Sequence, residues 1–178
     1  MEVAPALIAA PLLWATVGRF RFSNLAYGLI LLHGLVLIVG GAYSYARVPF
    51  GDWLQVWMQL SRNPYDKIGH FAQGFVPAII ARELLIRRFA LKPGGLLAFV
   101  CVCVSGSISA TYEIIEWQAA VWLGEGADAF LGAQGDPWDT QSDMLLAFMG
   151  AIAALCVLPR PHDRSMRRLS ESTGEFMP

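Results

Sequence analysis

The chain alternates long apolar runs with short polar breaks, and that spacing predicts helices that cross a bilayer. Residues 25–45 contain no Asp, Glu, Lys or Arg, and about 20 such residues suffice for one crossing. Comparable runs at 3–17, 66–86, 96–123 and 139–158 bring the expectation to about five spans. The fold class that follows is all-α, a polytopic transmembrane helix bundle. Residues 1–158 are expected to form its one domain, with 159–178 a polar, mobile tail rich in Arg and Ser. Residues 52–60 stand apart: Trp53 and Trp57 lie one turn apart among Leu54, Val56 and Met58, which suits a short helix in the membrane interface.

Composition agrees with the pattern. Hydrophobic residues make up 56% and charged residues only 15% of the 178, too apolar for an ordinary soluble domain of this size. A formal net charge of −1 offers no global basic patch, which argues against a nucleic-acid partner. Cys101 and Cys103 point to different sides of one helix and Cys156 lies in another, so neither a disulfide framework nor a thiolate metal site is indicated. Residues 3–17 lack a basic leader and are interrupted by Pro5 and Pro11, so a retained first helix is expected there.

Positive charge sets the expected orientation, because cytoplasmic loops accumulate Lys and Arg. Arg19 and Arg21 follow the first run, Arg87, Arg88 and Lys92 the third, and Arg160, Arg164, Arg167 and Arg168 the fifth. One topology places all three segments, and the C-terminus, in the cytoplasm. The loop 124–143 agrees, with Glu125, Asp128 and Asp136 but no Lys or Arg; Arg47, Arg62 and Lys67 weigh the other way.

Two of the runs open on near copies of one motif. Asn63-Pro64-Tyr65-Asp66 leads to His70, and Asp136-Pro137-Trp138-Asp139 leads to Asp143. Each places polar side chains at i and i+4, on one helical face. A capping residue, a proline and an acid in the first turn also spell an ordinary helix start, which by itself accounts for Asp66 and Asp139. It accounts poorly for His70 and Asp143, a turn deeper.

In the fourth run Glu113 and Glu116 share a face one turn apart. A charge near the bilayer centre costs about 2.5–3.5 kcal/mol even on the gentlest scale, so two acids there need compensation. The bland alternative is a salt bridge that glues helices, with Lys67 or Arg62 as partner. In the expected topology Asp66, His70, Glu113, Glu116, Asp139 and Asp143 converge in the outer half of the bilayer. Five anions and one imidazole cannot share a low-dielectric pocket as separate charges: either several are protonated, or a cation joins them. One imidazole with several carboxylates suits Zn, Mn, Fe or Mg. His33, alone in the second run, reads as a bundle histidine. Ser105, Gly106, Ser107, Ser109 and Ala110 let neighbouring helices approach. Gln73, Gln118 and Gln141 are candidates for orienting ligands. Arg82 and Glu83 are expected to reach the interface, and His162 and Asp163 to be solvated.

The blocks Tyr-Asp-Lys-Ile-Gly-His-Phe (65–71), Tyr-Glu-Ile-Ile-Glu-Trp (112–117) and Gln-Gly-Asp-Pro-Trp-Asp-Thr-Gln-Ser-Asp-Met (134–144) resemble the YjdF-type bacterial inner-membrane proteins over nearly the whole chain. The resemblance implies a small multi-pass plasma-membrane protein and carries no activity with it. A looser similarity links Asp66, Lys67, His70, Phe71, Glu113, Glu116, Asp143 and Gly150 to VanZ-like membrane proteins, whose third block has Asn where this chain has Ala147.

The function these residues favour is an integral membrane enzyme, metal-dependent or acid/base, acting on a lipid or lipid-linked envelope substrate at the outer leaflet. His70, Glu113, Glu116 and Asp143 would be the catalytic groups, and all six polar residues candidate metal ligands. The alternatives are a proton- or cation-coupled transporter and a noncatalytic binding or assembly protein.

Overall fold

A computed structural model describes residues 3–123 and 136–174. Their regular elements are helices: α1 (Ala4–Thr16), α2 (Asn24–Tyr43), a single 3-10 turn (Tyr45–Arg47), α3 (Pro49–Met58), α4 (Tyr65–Phe89), α5 (Gly95–Leu123), α6 (Asp139–Val157) and α7 (Pro159–Thr173). Among the described residues, α2, α5 and α6 are each long and apolar enough to cross a membrane. Helix α1 is apolar but only 13 residues long. Helix α4 has 25 residues, among them Asp66, Lys67, Arg82, Glu83, Arg87 and Arg88, so its apolar character is diluted.

The duplicated motif starts two helices in the same way. Asn63 Oδ1 accepts the Tyr65 N–H at 3.0 Å, and Asp136 Oδ1 accepts the Trp138 N–H at 2.9 Å. Each side chain satisfies a donor that the helix start leaves unpaired. The two helices then run parallel in register, so that His70 and Asp143 come to the same level. Their interface is the most extensive in the bundle. Glycine permits it: a Cβ at Gly74 would overlap the Ala147 carbonyl oxygen, and one at Gly150 the Phe71 carbonyl oxygen. Ala147 itself is fully buried. Helix α5 runs antiparallel to the pair, its end near their starts, and packs against both.

Side-chain size is distributed as a lipid-facing bundle requires. Leu31, Leu35 and Ile38 on α2, Phe99 and Ile108 on α5, and Leu145 and Ile152 on α6 are exposed, whereas Ala78, Cys101, Ala147, Ala151 and Ala154 lie between helices. Small residues bring backbones close where lipid, rather than water, surrounds the bundle.

The start of the expected mobile tail is instead helix α7, fixed at Gly174 by a left-handed cap (φ +70°). The spacing of His162, Met166 and Leu169 makes it amphipathic, and all three are buried. Met166 joins Ala81, Ile86, Leu97 and Cys101 in one apolar cluster. His162, expected in solvent, is 0% exposed, and Arg82 and Glu83, expected at the interface, are 4% and 0% exposed. Polar partners make this possible. Glu83 Oε1 accepts the Ser23 N–H and an Arg87 N–H, both at 2.7 Å. Its Oε2 accepts the Ser23 hydroxyl at 2.6 Å and His162 Nε2–H at 2.9 Å. Because a carboxylate only accepts, His162 Nε2 carries the proton and Nδ1 accepts from Arg82 at 3.0 Å. Arg82 also pairs with Asp163 at 2.8 Å. The network joins the starts of α2 and α7 to the end of α4.

Candidate functional site

At the opposite end of the bundle the starts of α4 and α6 meet the last third of α5. Asp66, His70 and Asp143 each offer a ligand atom within 4.8 Å of the others. His70 Nε2 stands 3.5 Å from Asp66 Oδ1 and 3.7 Å from Asp143 Oδ2. These separations exceed a good N–H···O bond of about 2.7–3.2 Å. They match the roughly 3.3 Å between ligands held about 2.05 Å from a tetrahedral ion. Burial is high, with side-chain exposures of 16% for Asp66, 10% for His70 and 4% for Asp143.

The other imidazole nitrogen is committed. His70 Nδ1 lies 2.9 Å from Gln73 Oε1, one turn along α4. A carbonyl oxygen only accepts, so Nδ1 carries a proton, and in the neutral form of the ring the Nε2 lone pair would face the gap between Asp66 and Asp143. Glu113 Oε1 sits 3.6 Å from the same Nδ1, beyond hydrogen-bonding distance. Glu113 is 7% exposed, and this oxygen is buried without a hydrogen-bond partner among the described residues.

Two cations hold the rim. Lys67 Nζ donates to Asp139 Oδ1 at 2.9 Å, to Ser142 Oγ at 2.5 Å and to Asp143 Oδ1 at 2.8 Å, using all three of its protons. Asp143 is thereby divided: Oδ1 belongs to Lys67 and Oδ2 faces His70. Arg62 reaches Asp139 Oδ1 at 2.5 Å and Asp136 Oδ2 at 3.2 Å. Burial works against the Arg62 charge, but the hydrogen bond to Asp139 and the charges of Asp139, Asp136 and Asp66 outweigh it and raise the guanidinium's pKa. Arg62 also follows α3, whose register is set by Asn63: Nδ2 donates to the Val48 carbonyl at 3.1 Å and to Asp52 Oδ1 at 2.8 Å. Exposed Phe50, Trp53 and Trp57 form a stacked series on α3, with successive centroids 5.9 Å apart.

Of the six residues singled out in the sequence, the structure gathers Asp66, His70 and Asp143, with Glu113 beside the second imidazole nitrogen. Asp139 is placed one step away, between Arg62 and Lys67. Glu116, half-buried, makes no hydrogen bond or ion pair among the described residues. Lys67 and Arg62 serve Asp139 and Asp143, rather than Glu113 and Glu116 as the bland reading had it. Of the three glutamines, Gln73 meets a candidate ligand. Sequence reading missed Ser142 and the Lys67 bridge; their signal was the i, i+3 and i+4 spacing of Asp139, Ser142 and Asp143 opposite a lysine one residue past Asp66. Glu125 and Asp128 of the acidic loop lie outside the described residues.

A helical bundle with apolar faces and a buried polar cluster near one end defines an integral membrane protein. Residues 1–164 match the family of predicted membrane proteins DUF2238, and the chain belongs to it. It is 52% identical over 174 residues to the inner membrane protein YjdF of Escherichia coli (strain K12), covering 98% of this chain and 83% of that protein. These matches carry the YjdF-type resemblance and not the VanZ-like one. No solved structure matches.

Proposed function

We propose that the Asp66, His70, Glu113 and Asp143 cluster binds one divalent metal ion of the Zn, Mn, Fe or Mg class, and that it acts on an amphiphilic lipid or lipid-linked envelope substrate at the outer leaflet. The observation that carries this reading is the gap at His70 Nε2: two carboxylate oxygens at 3.5 and 3.7 Å, too far for hydrogen bonds and spaced as ligands are. Gln73 supports it by fixing the imidazole tautomer, and Lys67 by turning Asp143 Oδ2 inward. A bound ion would polarise an ester or phosphoryl oxygen and lower the pKa of water beside it. Glu113, whose Oε1 lies 3.6 Å from His70 Nδ1, is placed to accept or return a proton.

Three features favour a lipid-phase substrate and one-sided access. The cluster lies in the first turns of α4 and α6, close to one membrane surface. The chain leading into it is tied through Asn63 to α3, whose exposed aromatic series suits the interfacial region. The basic segments after α1, α4 and α6 lie at the other end, which makes that end cytoplasmic and the cluster's end external. The C-terminus is then cytoplasmic and the protein multi-pass, with α1, α2, α4, α5 and α6 as five spans.

Metal analysis of detergent-purified protein is the test. Stoichiometric metal that disappears in His70→Ala and falls in Glu113→Ala is the expected result; metal-free native protein that fails to take up Zn or Mn on titration overturns the proposal.

A further inference from the structure

The outer cluster does not stop at Glu113. Cys101, Ser105, Ser109 and Glu113 form one i, i+4 row along α5, and every one of them is buried. Helix α5 packs against α4 and α6, so the row lies between helices rather than toward lipid. Ser105 and Ser109 are 0% exposed and their hydroxyls have no hydrogen-bond partner among the described residues, not even the preceding-turn carbonyl that Thr111 uses at 2.7 Å. Glu113 Oε1 is unpartnered in the same way. Orphan polar atoms in a dry interior are costly, and three in one row call for a common partner.

The geometry selects water as that partner. Successive members of the row are about 6 Å apart along the axis. One water with two hydrogen bonds of about 2.8 Å spans such an interval.

The row also has a matching far end. Twelve residues separate Cys101 from Glu113 on α5, and twelve separate Arg82 from His70 on antiparallel α4. Each interval is about 18 Å, so the two helices carry polar groups at the same two levels. At the inner level Cys101 packs in one cluster with Ala81, the residue before Arg82, and Arg82 bonds His162 and Asp163. Asp163 is about one-third exposed and opens the network to solvent.

We propose that Ser105 and Ser109 line a file of buried water between α4, α5 and α6 that gives the His70–Glu113 cluster a proton path to the Arg82–His162–Asp163 end of the bundle. Protons move by relay: each water takes one proton from the neighbour on one side and releases another to the neighbour on the other, and no water is consumed. This holds whether or not the cluster carries a metal, and its failure leaves the metal reading standing, since neither serine is a ligand.

Two measurements test it on the full chain in proteoliposomes. The first replaces Cys101, Cys103 and Cys156 by Ala, introduces Ser105→Cys, Ser109→Cys or, as a dry reference, Ile79→Cys, and follows reaction with silver ion. Both serine positions are expected to react at least roughly tenfold faster than position 79, which is fully buried among apolar residues. Equal rates overturn the water file. The second loads the vesicles with a pH dye and imposes a potential. Proton entry above that of protein-free vesicles, cut several-fold by Ser105→Val and by Ser109→Val with zinc uptake unchanged, is expected. Entry no faster than in protein-free vesicles, or unaffected by either valine, overturns the proton path.

Discussion

The two ends of the bundle hold comparable sets of buried ionisable groups and treat them in opposite ways. At the Glu83 end every strong group is answered: two carboxylate oxygens take four donors, and one imidazole donates with one nitrogen and accepts with the other. At the His70 end Glu113 Oε1 has no hydrogen bond among the described residues, and two imidazole–carboxylate separations are 3.5 and 3.7 Å. Saturated networks fix structure, whereas a cluster left short of partners is where a ligand or a proton completes the set. Charge alone does not separate the regions; satisfaction does.

The comparison breaks most directly at Glu83. Glu83→Ala strands the Ser23 and His162 donors in the interior and leaves Arg87 without its carboxylate, and the expected loss is about 3–5 kcal/mol, read as early thermal unfolding in detergent. Glu113→Gln, by contrast, alters a buried carboxylate with one oxygen outside any hydrogen bond among the described residues, and is expected to leave unfolding unchanged or slightly delayed. If both variants unfold alike, the two ends do not differ as described.

Next in size is His70→Ala. It removes the imidazole on which the ligand gap is centred, so zinc affinity should drop by about a hundredfold or more, with little change in unfolding. Gln73→Leu should have a smaller effect of the same kind. Freeing Nδ1 lets the ring adopt the other tautomer, and an affinity loss of about 10–100-fold is expected, while Gln73→Glu, which keeps an acceptor, should recover most of it. Isothermal titration against zinc separates these cases; an unaltered Gln73→Leu would remove the tautomer argument. The smallest effect belongs to the rim. Asp136 is one-third exposed and its partner Arg62 keeps Asp139, so Asp136→Asn should shift stability by no more than about 1 kcal/mol.

The bundle's plan was legible residue by residue. The run without charge at 25–45 became α2, the runs at 96–123 and 139–158 became α5 and α6, and the twin Pro-aromatic-Asp starts became two helices with the same cap. These are local signals, set by length, hydropathy and a side chain reaching two residues ahead. The face of His70 and Asp143 was legible for the same reason, because i and i+4 spacing fixes direction on a helix. Helix α7 was less so: its apolar stripe is three residues wide in a segment crowded with arginine, and composition outweighed periodicity.

What the sequence by itself determined is therefore which residues are helical, which faces are polar, and that His70, Glu113 and Asp143 belong to the buried faces of three different helices. Only tertiary structure decided who meets whom. The parallel register of α4 and α6, set by glycines that admit a carbonyl at Gly74 and Gly150, brought His70 level with Asp143. It also sent Lys67 and Arg62 to aspartates instead of glutamates, leaving Glu113 beside His70 with no Lys or Arg ion pair among the described residues. It buried Glu83 against His162, some 79 residues away. Pairings of that kind depend on distance in space, which hydropathy and helical period do not encode.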